Sequence, residues 1–243
     1  MTLLVAERLS RIYRLGDERA VGVEDTSLSI DQGEFAVLAG PSGSGKTTLL
    51  NLLGLLDTPD SGRLFFEGRD VSSLDESSRA RLRREKMGFV FQAHQLIPVL
   101  SAEENVAFAL WLRELPEQEC CVRARRALRD VGLEGLETRR PGALSGGQRQ
   151  RVAVARALVG EPALILADEP TASLDSATAE RLLDLFVDLH SSRGVAFLFS
   201  SHDPRIVERA RRRIELRDGR IVSDVTAVTA VTAIKSGASG GAS

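Results

Sequence analysis

A continuous apolar run, Phe35-Ala36-Val37-Leu38-Ala39, leads into Gly40-Pro41-Ser42-Gly43-Ser44-Gly45-Lys46-Thr47, and leucines at 49, 50, 52, 53, 55 and 56 follow. No other feature restricts the fold of this chain so tightly. An apolar run without alternation predicts a strand buried on both faces. The leucines predict a helix from Thr47 to Leu56 that is largely surrounded by protein. Strand, glycine loop and helix in that order open a parallel α/β unit. The loop matches the P-loop pattern in full. Its glycines let successive backbone amides turn inward and donate to phosphate oxygens, where a Cβ would obstruct the approach. Lys46 brings positive charge to the β- and γ-phosphates, Thr47 offers a hydroxyl to Mg²⁺, and Thr48 completes the turn into a helix whose positive end faces the anion. A glycine-rich turn of no consequence is the bland alternative, and the flanking strand and helix make it a poor one.

The α/β pattern is interrupted and then resumes. Gly88-Phe89-Val90-Phe91-Gln92 reads as a short strand. Ser101 and Glu104 have the spacing of a capping box, Pro116 ends that helix, and a second runs from about Glu117 to Val131. Residues from about 93 to 145 thus read as a helical lobe inserted in the core. Ala163 to Asp168 and Val195 to Ser200 read as further buried strands. Between them a helix from about Thr178 to Ser191 stops at Gly194. Arg217-Asp218-Gly219-Arg220 reads as the turn of a hairpin. The segment 224–243, with its repeated Val-Thr-Ala and its Gly/Ser/Ala-rich end, is of low complexity and is expected to be loosely attached.

Two further motifs carry chemistry. Asp168-Glu169 closes a buried strand, where an aspartate holds Mg²⁺ through water and the adjacent glutamate orients or deprotonates an attacking water. Leu144-Ser145-Gly146-Gly147-Gln148 reads as a glycine-rich loop opening a helix through Arg151, Val154, Ala155 and Leu158. A serine and bare amides at a helix start make a second anion site in the same chain. Each motif alone has an ordinary structural explanation; their order in one chain does not.

With these residues in view, the chain from Leu3 to about Ser223 resembles an ATP-binding cassette (ABC) ATPase, and Leu144 to Gln148 matches that family's signature without change. The resemblance implies an α/β P-loop core with a parallel sheet, an N-terminal antiparallel β subdomain and the inserted helical lobe. It implies ATP and Mg²⁺ as ligands, and a head-to-tail pair in which Ser145, Gly146, Gly147 and Gln148 of one subunit complete the other's P-loop. It further implies that Tyr13 stacks on adenine and that Gln92 reaches Mg²⁺ and the attacking water while sensing a membrane partner. Ser173-Leu174-Asp175 resembles the loop coupling the two sites, and His202 would contact the γ-phosphate. Gly54 to Gly62, Leu82 to Gln92 and Leu166 to Thr171 are similar to the bacterial lipoprotein-releasing, macrolide-efflux and cell-division ATPases. That group implies integral membrane permease-type partners, periplasmic components and a peripheral place on the cytoplasmic face of the inner membrane. Ala172-Ser173 departs from many relatives, which have Gly followed by Asn or Ala; both residues here are small, and hydrolysis is expected to survive.

Composition narrows the alternatives. Lys and Arg number 32 against 34 acidic residues, a net charge of −2, so no basic excess points to nucleic acid. The apolar runs fall far short of the ~20 residues of a spanning helix, and Met1 to Arg8 lacks the character of a secretion signal. Cys120 and Cys121 are adjacent on a helix, where a disulfide would be strained, and fit a reducing compartment. A soluble ABC-type ATPase acting on nucleic acid or ribosomes is the main rival, but the coiled coils, zinc inserts or second cassette of such proteins are missing from the sequence. A regulatory scaffold that binds ATP without hydrolysing it is the other, and Glu169 with His202 argues against it. The arginines from 79 to 86 and from 123 to 129 read as solvated helix faces.

Overall fold

The structure is a computed structural model and describes residues 1–15 and 18–226. Its centre is a six-stranded sheet. Strands β3 (Phe35–Ala39), β6 (Met87–Phe91), β7 (Leu164–Asp168), β8 (Ala196–Ser200), β9 (Arg212–Arg217) and β10 (Arg220–Thr226) lie in the order β10-β9-β3-β8-β7-β6. All run parallel except β10, which returns antiparallel to β9. That return turns on Asp218 and Gly219, with φ of 48° and 76°, the left-handed pair a tight hairpin needs.

Side-chain alternation divides the core into two layers. Phe35, Val37, Ile165, Ala167, Phe197 and Phe199 face one side of the sheet. There they meet helices α3 (Ala102–Trp111), α4 (Glu117–Asp130), α5 (Gly146–Leu158) and α6 (Ser176–Arg193). Ala36, Leu38, Leu164, Leu166, Ala196 and Leu198 face the other side. They pack on helix α1 (Lys46–Leu53) and on a second, antiparallel sheet. Strands β1 (Thr2–Leu15), β2 (Glu18–Asp31), β4 (Ser61–Phe66) and β5 (Arg69–Asp70) build that sheet in the order β2-β1-β4-β5. Both faces of the parallel sheet are covered, which is why its strands are apolar throughout.

Helix α2 (Glu76–Lys86) precedes β6, and α7 (Pro204–Arg209) follows β8. The capping box at Ser101 forms, with Ser101 Oγ accepting from Glu104 N and Glu104 Oε2 accepting from Ser101 N at 2.7 Å. Gly194 closes α6 at φ 65°, as expected, and the helix runs to Arg193, two residues beyond Ser191.

Three expectations need correction. Helix α1 ends at Leu53 rather than Leu56, because Gly54 caps it and Leu55 takes the left-handed φ of 57°, which breaks the helical path; Leu56 is left exposed. The arginines of α2 are not simply solvated: Arg83 donates to Leu55 O and pairs with Glu76, and Arg84 donates to Leu112 O at 2.8 Å. In the low-complexity segment, Asp224 to Thr226 belong to β10, and Asp224 pairs with Arg212 at 2.6 Å; residues 227–243 lie outside the described residues. Cys120 and Cys121 are both free thiols on α4.

Candidate active site

The carboxyl ends of four parallel strands converge, the usual place for a ligand in an open α/β sheet. The glycine loop follows β3, Gln92 follows β6, Asp168 ends β7 and Ser200 ends β8. They open onto a cavity of about 640 Å³ lined by the loop from Pro41 to Thr48, by Gln92, Glu169, Ala172, Ser200 and His202, and by Tyr13, Val21 and Gly22 of the antiparallel sheet.

The loop owes its shape to close backbone contact. Gly45 has φ 101°, and a Cβ there would lie 2.1 Å from Gly22 O. Lys46, buried to within 8% exposure, curls beneath the loop and donates through Nζ to Gly40 O at 2.8 Å and Pro41 O at 2.9 Å. Thr47 Oγ1 lies 3.1 and 3.3 Å from the two carboxylate oxygens of Asp168. A hydroxyl and a carboxylate so placed are hard oxygen donors of the type Mg²⁺ takes.

Glu169 has the left-handed φ of 44°, which turns its side chain back along the strand end. Its amide donates to Ser200 O at 2.8 Å. One carboxylate oxygen lies 2.7 Å from His202 Nδ1, and the other accepts from Ser201 Oγ at 3.0 Å. Ser201 Oγ itself accepts from Asp203 N. The guanidinium of Arg205, hydrogen-bonded to Asp203, holds that carboxyl below its usual range against the opposing effect of burial. A chain of fixed groups therefore sets the direction of Glu169.

Tyr13 reaches the cavity from the antiparallel sheet, its hydroxyl donating to Asp57 Oδ2 at 3.0 Å. The remaining expected residues form a separate cluster. Ser145 caps α5 by accepting from Gln148 N, and Gln148 Oε1 accepts from Ser145 N at 2.8 Å, so the Gln148 side chain is occupied within its own loop. Gly146 and Gly147 pack beside Leu174 and Thr178. Asp175 caps α6 by accepting from Thr178 N at 3.0 Å, and hydrogen bonds from Thr178 lower its pKa. His94 and His190 stay outside the cavity lining.

Sequence reasoning passed over Ser201 and Gly22. The pair Ser200-Ser201 ending an apolar strand was a signal for the first, and a glycine inside an extended segment was a signal for the second. A Cβ on Gly22 would meet Thr48 Cγ2 at 2.7 Å and Tyr13 Cε2 at 2.9 Å. Overpacking of this kind costs roughly 1–3 kcal/mol. Gly22→Ala is therefore expected to lower the thermal transition by a few degrees and, by displacing Tyr13 and Thr48, to weaken ATP binding by about ten-fold, or ~1.4 kcal/mol; equilibrium titration with ATP checks it, and native affinity would count against the close approach.

A glycine loop at a helix start, an acidic strand end and a cavity between them define a P-loop nucleoside-triphosphate-binding protein. The family described as ABC transporter matches residues 23–172. The chain is 44% identical over 219 residues to the lipoprotein-releasing system ATP-binding protein LolD of Bordetella avium (strain 197N), covering 90% of this chain and 95% of that one. Its fold matches the ATP-binding cassette MJ0796, solved as a dimer in a post-hydrolysis state bound to ADP and Pi. The TM-score is 0.87 at 36% identity, over 93% of this chain and 100% of that one. A second dimeric structure of MJ0796, described as a bacterial ABC transporter cassette, matches equally well. The chain belongs to the ABC transporter family and is one of its ATP-binding, ATP-hydrolysing subunits. These matches favour transport over the nucleic-acid alternative.

Proposed function

We propose that the chain hydrolyses Mg-ATP in a head-to-tail pair of identical subunits and so drives integral membrane subunits from the cytoplasmic face of the inner membrane. The observation that carries this is the convergence of Lys46, the Thr47–Asp168 pair, the Glu169–His202 pair and Gln92 on one cavity. Tyr13 stacks on adenine, and the loop from Gly40 to Thr48 holds the phosphates. Thr47, Asp168 and Gln92 hold Mg²⁺, which when bound neutralises phosphate charge. Among the described residues no group of three or more His, Cys, Asp and Glu could hold a metal, as suits a cation bound chiefly by water and nucleotide. Glu169 takes a proton from the attacking water as the bond from the γ-phosphorus to its bridging oxygen breaks, releasing ADP and phosphate. His202 steadies the γ-phosphate, and Ser145, Gly146 and Gly147 of the other subunit cap it. Asp175 and its loop lie beside that cap and couple the two sites.

Among the described residues no helix is long and apolar enough to cross a membrane, and the likeness over 95% of LolD, an ATP-binding protein of a lipoprotein-releasing system, supports a moving partner on a separate membrane subunit. An apolar groove lies beside β6, the strand that leads into Gln92. Leu56, Phe89, Phe91, Phe108 and Leu112 line it, and we infer that an amphipathic helix of a permease subunit rests there. Residues from about 93 to 145 act as the lobe that such a contact would move within a cassette that runs through β10 to Thr226. The likeness to LolD supports the branch whose partners transmit motion to periplasmic components. The test is phosphate release from Mg-ATP with and without the membrane partner. Leu56→Glu should leave basal release unchanged and abolish stimulation by the partner; full stimulation would remove the groove from the account.

A further inference from the structure

Arg11, Asp57 and Asp60 have no part in the mechanism above, yet they enclose the side chain on which the base is to stack. Arg11 forks onto Asp57, with Nη2 3.0 Å from Oδ1 and Nε donating to Oδ2 at 3.1 Å. The same Asp57 Oδ2 accepts from Tyr13 Oη at 3.0 Å. Nη1 of Arg11 reaches Asp60 Oδ1 at 2.8 Å, and Asp60 Oδ2 accepts from Ile12 N at 2.7 Å. The guanidinium carbon lies 5.2 Å from the centroid of the Tyr13 ring, over its face. An edge of the ring meets Gly22 closely enough to leave no room for a Cβ.

Asp57 and Asp60 belong to the short connection between α1 and β4. The Asp57 amide donates to Asn51 O near the end of α1. Helix α1 holds the phosphates at its start, and the residues after its end hold the Tyr13 ring. An eight-residue helix spans about 12 Å, so one rigid element sets the distance between the base platform and the phosphate cradle.

We propose that Asp57 and Arg11 are positioning residues for adenine recognition. Asp57 fixes the plane of Tyr13 through its hydroxyl, and Arg11 covers one face, so the base stacks only on the other. A cation behind an aromatic ring adds to the attraction of the assembly, and a ring already held in place loses less freedom when the base arrives. This rests on the reading of Tyr13 as the adenine platform.

The experiment compares affinities for ATP and for inorganic tripolyphosphate, which has no base. Tyr13→Phe deletes only the tethered hydroxyl and keeps the stacking surface. It should raise the Kd for ATP about three- to ten-fold, the range of one net hydrogen bond. Asp57→Ala should do at least as much, and the double variant should be no weaker than Asp57→Ala alone. Tripolyphosphate should bind all three variants as it binds the native chain. A purely structural role for Asp57 would weaken both ligands alike, and additive losses in the double variant would show that Asp57 does not act through Tyr13; either result overturns the proposal. Tyr13→Ala separates the two levels. If it leaves the preference for ATP over tripolyphosphate intact, the platform reading fails. If it removes that preference while Tyr13→Phe and Asp57→Ala behave as native, only the positioning role fails.

Discussion

Glu169→Gln is expected to bind ATP about as tightly as the native chain and to release phosphate at least about a hundred-fold more slowly, the scale of a lost general base. The substitution is unusually clean at this position. Both residues carry the same left-handed backbone strain at φ 44°, so the turn after β7 is unaltered. The amide can still accept one hydrogen bond of the pair now made by Ser201 Oγ and His202 Nδ1, and a serine hydroxyl can accept as well as donate. What is lost is the capacity to take a proton from water. With hydrolysis stopped, ATP stays at the subunit interface and the pair should persist as a dimer in size measurements made with ATP but not with ADP. Steady-state phosphate release within a few-fold of the native rate would exclude Glu169 as the base.

The parallel core was legible because its strands are covered on both faces, and burial leaves no polar residues to confuse the signal. Phe35 to Ala39, Ala163 to Asp168 and Val195 to Ser200 were placed to within a residue or so for this reason. The antiparallel sheet was not so plain. Strands β1 and β2 are each 14 residues long, but Arg8 and Asp25 adopt positive φ and the pairing shifts register between Ala6 and Leu9. Such bulges interrupt the alternation on which a strand is recognised. The motifs at Gly40 to Thr47, Asp168-Glu169 and Ser145 to Gln148 were legible because each lies within a few consecutive residues. Ser201, Gly22, Arg11 and Asp57 were not, because their roles exist only through neighbours supplied by the fold. Glu169 meets Ser201 because β7 and β8 are adjacent in the sheet, and Tyr13 meets Asp57 across 44 residues of chain. Arg83 shows the same limit from the other side. Its charge looked idle until the turn after α1 presented the carbonyl of Leu55 to it.

The largest effect expected of any pair of variants comes from mixing two inactive ones. Gly146 has room for a side chain: a Cβ there would make only ordinary contact, 3.8 Å from Leu174 and 3.9 Å from Arg149, whereas one on Gly147 would strike Thr178 Cγ2 at 2.3 Å. Gly146→Asp should therefore leave its own subunit folded. An acidic residue in the first turn of α5 even complements the helix dipole. Any loss of activity must then come from a carboxylate facing the phosphates bound by the other subunit. Lys46→Ala loses hydrolysis for the opposite reason, since it removes the cation from its own loop. In a head-to-tail pair with two-fold symmetry each site takes its loop from one subunit and its cap from the other. A dimer of one Lys46→Ala chain and one Gly146→Asp chain gathers both lesions into one site and leaves the other with an intact Lys46 and an intact Gly146. Equal mixing makes about half the dimers of this kind, each with one sound site of two, so up to about a quarter of native turnover should return if the sites act independently. If each chain built its site from its own residues, the mixture would stay as inactive as either parent. Phosphate release before and after mixing distinguishes the two, and no recovery at concentrations where the dimer forms would rule out the shared site.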